Sequence, residues 1–359
     1  MVPQVAVYTT PPEALIELLA RSHPLLALPL IRRLQFAARF PGAITEHARI
    51  LWCSGVALEE HPLLAASKRD NVQGVKEEGG EEEEVPFAAA YLDFSRGPET
   101  ELWIYSSMER RLYETPVSDD GLGEGKGEKG SSNVEREEVV CAVALLREVK
   151  RQQDLYFVPG SAQAAEREFP TILVGNLNEV LRKRLVAPDV RMAIVSTGLY
   201  DKWIFEIGKL PEVGLPEVLG GGGGEGRRWS WDIVRKEDIG FTISRTKIPR
   251  RERTMRLLPS TALYLDDGMP IAWAFLGPDS SLSSLHCEEP YRGRGIAKAV
   301  AVRVLRDHLK DYGGDGYYGW ADVAPDNLQS QGVCRSLNGQ PRWQISWSRM
   351  NLDTSFPDE

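Results

Sequence analysis

The chain has 359 residues, of which 42% are hydrophobic and 26% charged, with a formal net charge of −9 at neutral pH. That length exceeds an ordinary single domain of about 100–200 residues, and no run of about 18 apolar residues offers a membrane span. The acidic balance argues against a whole-chain nucleic-acid binder, which needs clustered lysine and arginine.

The N-terminus lacks the basic start, apolar core and cleavage site of a secretory signal. Arg21, Arg32, Arg33 and Arg39 punctuate a Leu/Ala-rich stretch in the manner of a mitochondrial leader, against which Glu13 and Glu17 stand. The expectation is a cytoplasmic protein, with mitochondrial and nuclear placement left open. Glu13–Ala20 and Leu25–Phe40 carry helical apolar spacing. Phe87–Phe94 and Glu101–Ser106 read as strands joined by a polar hairpin segment. Val139–Arg151, Asn178–Leu185 and Leu199–Ile207 read as helix or mixed α/β material. Two stretches, 68–85 and 115–138, are rich in Glu, Gly, Ser and Lys and are expected to be disordered insertions. The run Gly220–Gly226 is expected as a flexible linker. The predicted division is therefore 1–217, linker 218–227, and 228–359. The four cysteines, Cys53, Cys141, Cys287 and Cys334, have no metal-ligand spacing and read as free thiols, so no metal is expected.

The second segment is orderly. Pro249 suits the first turn of a helix running to about Leu258. Thr261–Leu265 and Pro270–Phe275 are strand-like runs joined through Asp266-Asp267-Gly268, a hairpin signal. After the polar loop Gly277–Ser281 comes a third run, Leu282–Glu288, and then Glu289-Pro290-Tyr291-Arg292-Gly293-Arg294-Gly295-Ile296-Ala297 leads into an amphipathic helix, Ile296–Lys310. A strand, an Arg/Gly turn and a helix in that order bind anions, because glycine lets backbone approach a phosphate and the first helical amides point at it. A dinucleotide fingerprint fails at Lys298, where a third glycine would stand.

Here the sequence resembles the GNAT superfamily of N-acyltransferases, whose acyl-coenzyme A signature Q/R-x-x-G-x-G/A is filled by Arg292, Gly295 and Ala297. Leu263-Tyr264-Leu265, Asp267-Gly268, Pro270, Trp273 and Pro290-Tyr291-Arg292-Gly293 resemble the glycine N-acyltransferase-like branch within it. The resemblance covers about residues 229–350. It implies an α+β (mixed α/β) protein. The C-terminal domain would be a mostly antiparallel sheet splayed at the acyl-CoA site, preceded by a divergent mixed α/β domain. It implies an acyl-CoA co-substrate and a small-molecule amine, such as an amino acid, as partner. The alternatives are a protein lysine or N-terminal acetyltransferase and a non-catalytic acyl-CoA binder. The implied pyrophosphate cradle is the backbone of Arg292, Gly293, Arg294, Gly295, Ile296 and Ala297; Leu285 and Cys287 would pair with pantetheine, and Asn327 would touch its arm. The branch's glutamate base has no counterpart: Ser281 stands in its place, leaving Asp279 as the candidate base. The superfamily's tyrosine acid falls at Cys334. His286 faces either the substrate or a helix layer, Glu288 and Glu289 read as strand-end surface charges, and the basic run Arg245–Arg256 reads as a short nuclear signal or nucleic-acid patch interrupted by Glu252, as a grip on a carboxylate or the cofactor's phosphates, or as a solvated helix face.

Overall fold

The computed structural model describes residues 3–64, 85–110, 132–215, 218–219, 227–314 and 316–357. They form two compact units. The first comprises Met1–Leu34, Ile44–Gly198 and Ser346–Glu359; the second comprises Gln35–Ala43 and Leu199–Ile345.

In the first unit, strands β1 (Gln4–Tyr8), β2 (Arg49–Ser54), β3 (Phe87–Leu92) and β4 (Leu102–Ser106) pair antiparallel in that order. β5 (Ile172–Asn178) then joins β4 in parallel. Helices α1 (Glu13–Ser22) and α2 (Leu28–Arg39) lie between β1 and β2 in sequence, and α3 (Ser132–Tyr156) between β4 and β5. Ala142, Leu145, Leu146 and Val149 recur at helical spacing on α3 and close one core with Ala88, Ala90, Leu102 and Ile104. The other face of β3 is also covered, since Phe87 stacks on Trp52 and the Arg33 guanidinium lies 3.6 Å from the Tyr91 ring centre. Short helix α4 (Ala162–Ala165) precedes β5, and α5 (Glu179–Leu185) leads to β6 (Ile194–Glu206).

The second unit is built around β7 (Val218–Leu219), β8 (Arg227–Asp232), β9 (Ser260–Leu265), β10 (Pro270–Leu276) and β11 (Leu282–Cys287), in the spatial order β11-β10-β9-β8-β7. Helices α6 (Ile239–Ser244) and α7 (Glu252–Met255) connect β8 to β9. α8 (Ile296–His308) follows β11, packs on β9 to β11, and buries Ile296, Val300, Val304 and Leu305. β12 (Tyr318–Val323) pairs antiparallel with β6, and α9 (Leu328–Ser336) leads to β13 (Gln340–Met350) and α10 (Leu352–Ser355). The hairpin between β9 and β10 forms as the sequence indicates, with Gly268 at φ +82° and Leu265 donating to Met269 and Gly268 to Leu265.

Several expectations change. Leu199–Ile207, read as helix or mixed material, lies mostly in strand β6, because pairing with β12 outweighs local preference. α2 starts at Leu28, and α7 is one turn where a helix to Leu258 was expected. α3 already begins at Ser132, inside the insertion expected over 115–138; residues 115–131 of that stretch, and 68–84 of the other, lie outside the described residues. Around the expected linker 218–227 two short strands are described. Val218 pairs with Arg228 and Leu219 with Arg227, so the strands flanking Gly220–Gly226 belong to one sheet, while the glycines themselves lie outside the described residues. The units divide within α2, after Ala43, within β6 and within β13. Among the described residues no helix is long and apolar enough to cross a membrane.

Candidate active site

The site starts from an irregular strand. In the β10–β11 ladder Ala272 faces Cys287 and Trp273 faces His286, but Phe275 faces Ser283. Ser284 and Leu285 thus stand opposite Ala274 as a bulge, with Ser284 at φ +51°. Directly opposed residues share a face of the sheet, as do residues two apart on one strand. Trp273 and Phe275 therefore carry His286 and Ser283 onto the same face although these are three residues apart. At the end of the strand Glu288 N donates to Ile271 O. In an antiparallel ladder this turns the N–H and C=O of the preceding residue, Cys287, away from β10. Arg292 Nε takes up that carbonyl at 2.9 Å.

On its other side β11 meets β12 through one isolated parallel bridge, Ser281 to Trp320. Beyond it the two strands run unpaired, so the edge of β11 carrying Leu285 and Cys287 is open to an extended partner. The β12 wall is firm: Lys202 Nζ lies 2.6 Å from Asp322 Oδ1, its cross-strand neighbour, and 3.4 Å from the centre of the Trp320 ring.

At the C-terminal end of β11 the chain turns through Glu289–Tyr291 into Arg292–Gly295 and α8. Gly293 and Gly295 have φ of +76° and +78°, a region side chains avoid, and a Cβ on either would meet nothing within 4 Å. Their freedom thus serves the turn and not packing. Among the described residues, the amides of Gly293, Gly295, Ile296 and Ala297 donate to no backbone carbonyl. They lie at the positive end of α8, with Arg292 and Arg294 exposed beside them. This arrangement suits a multiply charged anion, and it gathers all the sequence-selected cradle residues in one turn.

The sequence-selected catalytic groups Asp279 and Cys334 are both buried. Asp279 is buried, accepting from Ser281 N at 3.2 Å and Ser281 Oγ at 2.7 Å within a turn in which Ser280 has φ +64°. Tyr312 clamps the same turn, its hydroxyl donating to Gly277 O at 2.5 Å. Cys334 is buried in the core of the second unit, which pushes its thiol up to about 12. Cys287 is likewise pushed up to about 11 by burial. Asn327 caps α9, its Oδ1 accepting from Ser330 N at 3.1 Å.

A polar cluster that sequence reading undervalued occupies the His286 face. His286 stacks on Trp273 at 4.6 Å and 23°, with Nε2 3.4 Å from Glu288 Oε1. Glu288, expected as a surface charge, accepts from Arg245 Nε at 2.8 Å. Arg245 covers Phe241, which meets Trp273 edge-on. Arg250 donates to Ser283 Oγ at 2.8 Å. The sequence signal was the shared parity of His286 and Glu288, although Ser283 is unreadable without knowing the bulge.

A family model described as the N-terminal domain of verG acyl-CoA N-acyltransferase matches residues 2–203. The chain belongs to this acyl-CoA N-acyltransferase family. The matched stretch ends within β6, so the cradle lies outside it. A search of curated proteins found no match. Among solved structures, a Drosophila protein is similar over 97% of this chain and 98% of its own, at 11% identity and a TM-score of 0.54, which is a likeness of fold. A tandem GNAT protein from the clavulanic acid biosynthesis pathway matches over 97% and 98%, at 12% identity and a TM-score of 0.44. A GCN5-related N-acetyltransferase from Sphaerobacter thermophilus matches over 96% and 95%, at 12% identity and a TM-score of 0.40. The family thus supplies acyl-CoA as co-substrate and N-acylation as the class of chemistry.

Proposed function

We propose that the second unit transfers a short acyl group from acyl-CoA to the amine of a small molecule that carries a carboxylate, such as an amino acid. The observation that carries this reading is the turn Arg292–Ala297, whose undonated amides open at the head of α8 next to a parted pair of strands. The pyrophosphate would take the amides of Gly293, Gly295, Ile296 and Ala297, with Arg292 and Arg294 adding charge. Pantetheine would lie along the free edge of β11, pairing with Leu285 and Cys287. The outward N–H of Cys287 is then placed to polarise the thioester carbonyl as charge builds on its oxygen.

A carboxylate-bearing acceptor is favoured by Arg250. Its Nη2 is held by Ser283 on the His286 face, within a segment that also carries Arg245, Lys247, Arg251 and Arg253. A polyamine would meet repulsion there. The test is thiol release from acetyl-CoA across amino acids, polyamines and lysine peptides. Release with amino acids, weakened in Arg250→Met chiefly through KM, supports the reading. Release only with peptides or polyamines contradicts the acceptor class, and binding of acetyl-CoA without release for any amine contradicts the enzyme.

A further inference from the structure

We propose that His286 accepts the proton of the attacking amine and that Glu288 positions its ring for that task. The inference rests on the acyltransferase reading above and adds the group that makes the nucleophile.

The imidazole is fixed from several directions. Trp273 stacks on its plane, Glu288 Oε1 stands 3.4 Å from Nε2, and Glu288 is itself tied to Arg245. Nε2 is closed to solvent and has no aligned hydrogen bond. A carboxylate beside Nε2 favours the tautomer that carries its proton there, leaving the Nδ1 lone pair to accept another. The bulge is what brings this ring onto the face of Ser283 and Arg250. An acceptor whose carboxylate is held by Arg250 would therefore present its nitrogen on the same face as the ring.

The charge around the ring fits the role. Burial holds the imidazole below its ordinary value; Glu288 opposes this, while Arg292 and Arg245 reinforce it. The ring is then neutral near pH 7 and able to take a proton. Asp279 is engaged in its own turn, and the buried Cys334 thiol belongs to the core, so neither matches this combination of restraint and unfilled nitrogen.

The step balances. The ammonium form of the acceptor gives one proton to Nδ1, and the freed lone pair forms the C–N bond at the thioester carbonyl carbon. The C–S bond breaks with its electron pair going to the coenzyme A sulfur. The second nitrogen proton neutralises that thiolate, and His286 returns its proton to water, leaving an amide, a free thiol and one released proton.

The experiment compares wild type, His286→Gln and Glu288→Gln, using acetyl-CoA and the amino acid that gives the fastest thiol release. His286→Gln is expected to lower kcat by about 10²- to 10⁴-fold, with acetyl-CoA affinity unchanged and the acidic limb of the kcat/KM profile gone. Glu288→Gln, lacking the charge that favours protonation, should retain part of the activity and move that limb to lower pH. The ring resonance assigned to His286 by NMR should titrate at correspondingly lower pH in Glu288→Gln. An active wild type with undiminished kcat in folded His286→Gln, or a limb and ring titration unmoved in Glu288→Gln, overturns this inference alone. A wild type inert toward every acceptor overturns the acyltransferase reading and this inference with it.

Discussion

Two successive stretches of the chain repeat one succession of elements. Short turns and α4 aside, each runs strand, two helices, three strands, helix, strand, helix, strand: β1 to β6 in the first stretch, β8 to β13 in the second. They differ at the corner after the fourth strand of the series. After β11 the backbone turns through exposed glycines whose amides await an acceptor. After β4, among the described residues, buried carboxylates answer the chain: Ser106 N donates to Glu109 Oε1 at 3.1 Å, Ser107 Oγ to Glu138 Oε1 at 3.1 Å, and Arg110 stands 3.4 Å from that same oxygen. The fourth and fifth strands differ as well. β4 and β5 share a parallel ladder at Leu102 with Val174 and Trp103 with Gly175, whereas β11 and β12 share a single bridge. A Cβ on Gly175 would meet Thr100 at 2.7 Å and Trp347 at 3.0 Å, so that junction is filled by the protein itself. One succession of elements thus carries exposed glycine amides after the fourth strand in one stretch and, among the described residues, buried carboxylates in the other.

The largest expected effect on ligand affinity lies in the corner after β11. Gly295→Glu forces a side chain into a left-handed position and sets bulk and negative charge in the cradle, and should reduce acetyl-CoA affinity by at least about 100-fold, or roughly 3 kcal/mol. Glu138→Gln in the other corner should leave that affinity unchanged. Both are read by calorimetry on variants shown to be folded by circular dichroism.

On stability the largest expected effect lies in the β12 wall. Lys202→Met strands Asp322 as a buried charge and should cost about 3–5 kcal/mol in urea unfolding, while Lys202→Met with Asp322→Leu should recover much of it.

A pH dependence separates the units. Burial pushes the Glu101 carboxyl in the first unit up to about 7 from 4.5, although Leu173 N donates to it. The unfolded chain releases that proton near 4.5, whereas the folded chain holds it until about 7. This contribution to stability is therefore full at low pH and lost as pH rises through that window, by about 3 kcal/mol. Glu101→Gln should flatten the loss in urea titrations between pH 5 and 8. Smallest is Asn327→Ala, which removes the cap of α9 for about 1 kcal/mol.

What the sequence disclosed was local. Asp266–Gly268 specified a hairpin through its own turn chemistry, and Arg292–Ala297 specified a turn into a helix, so both were readable without knowing a neighbour. What escaped depended on distant pairing. The strand over Leu199–Glu206 is decided by β12, more than a hundred residues away. The His286 face depends on a bulge at Ser284, where a serine and not a glycine takes the left-handed conformation, so no residue type flagged it.

Isothermal titration of the full chain with acetyl-CoA tests the central claim most directly. One molecule bound per chain, and none in folded Gly295→Glu, is the predicted result. Two bound per chain, or one bound undiminished by Gly295→Glu, would contradict a single cradle at the head of α8.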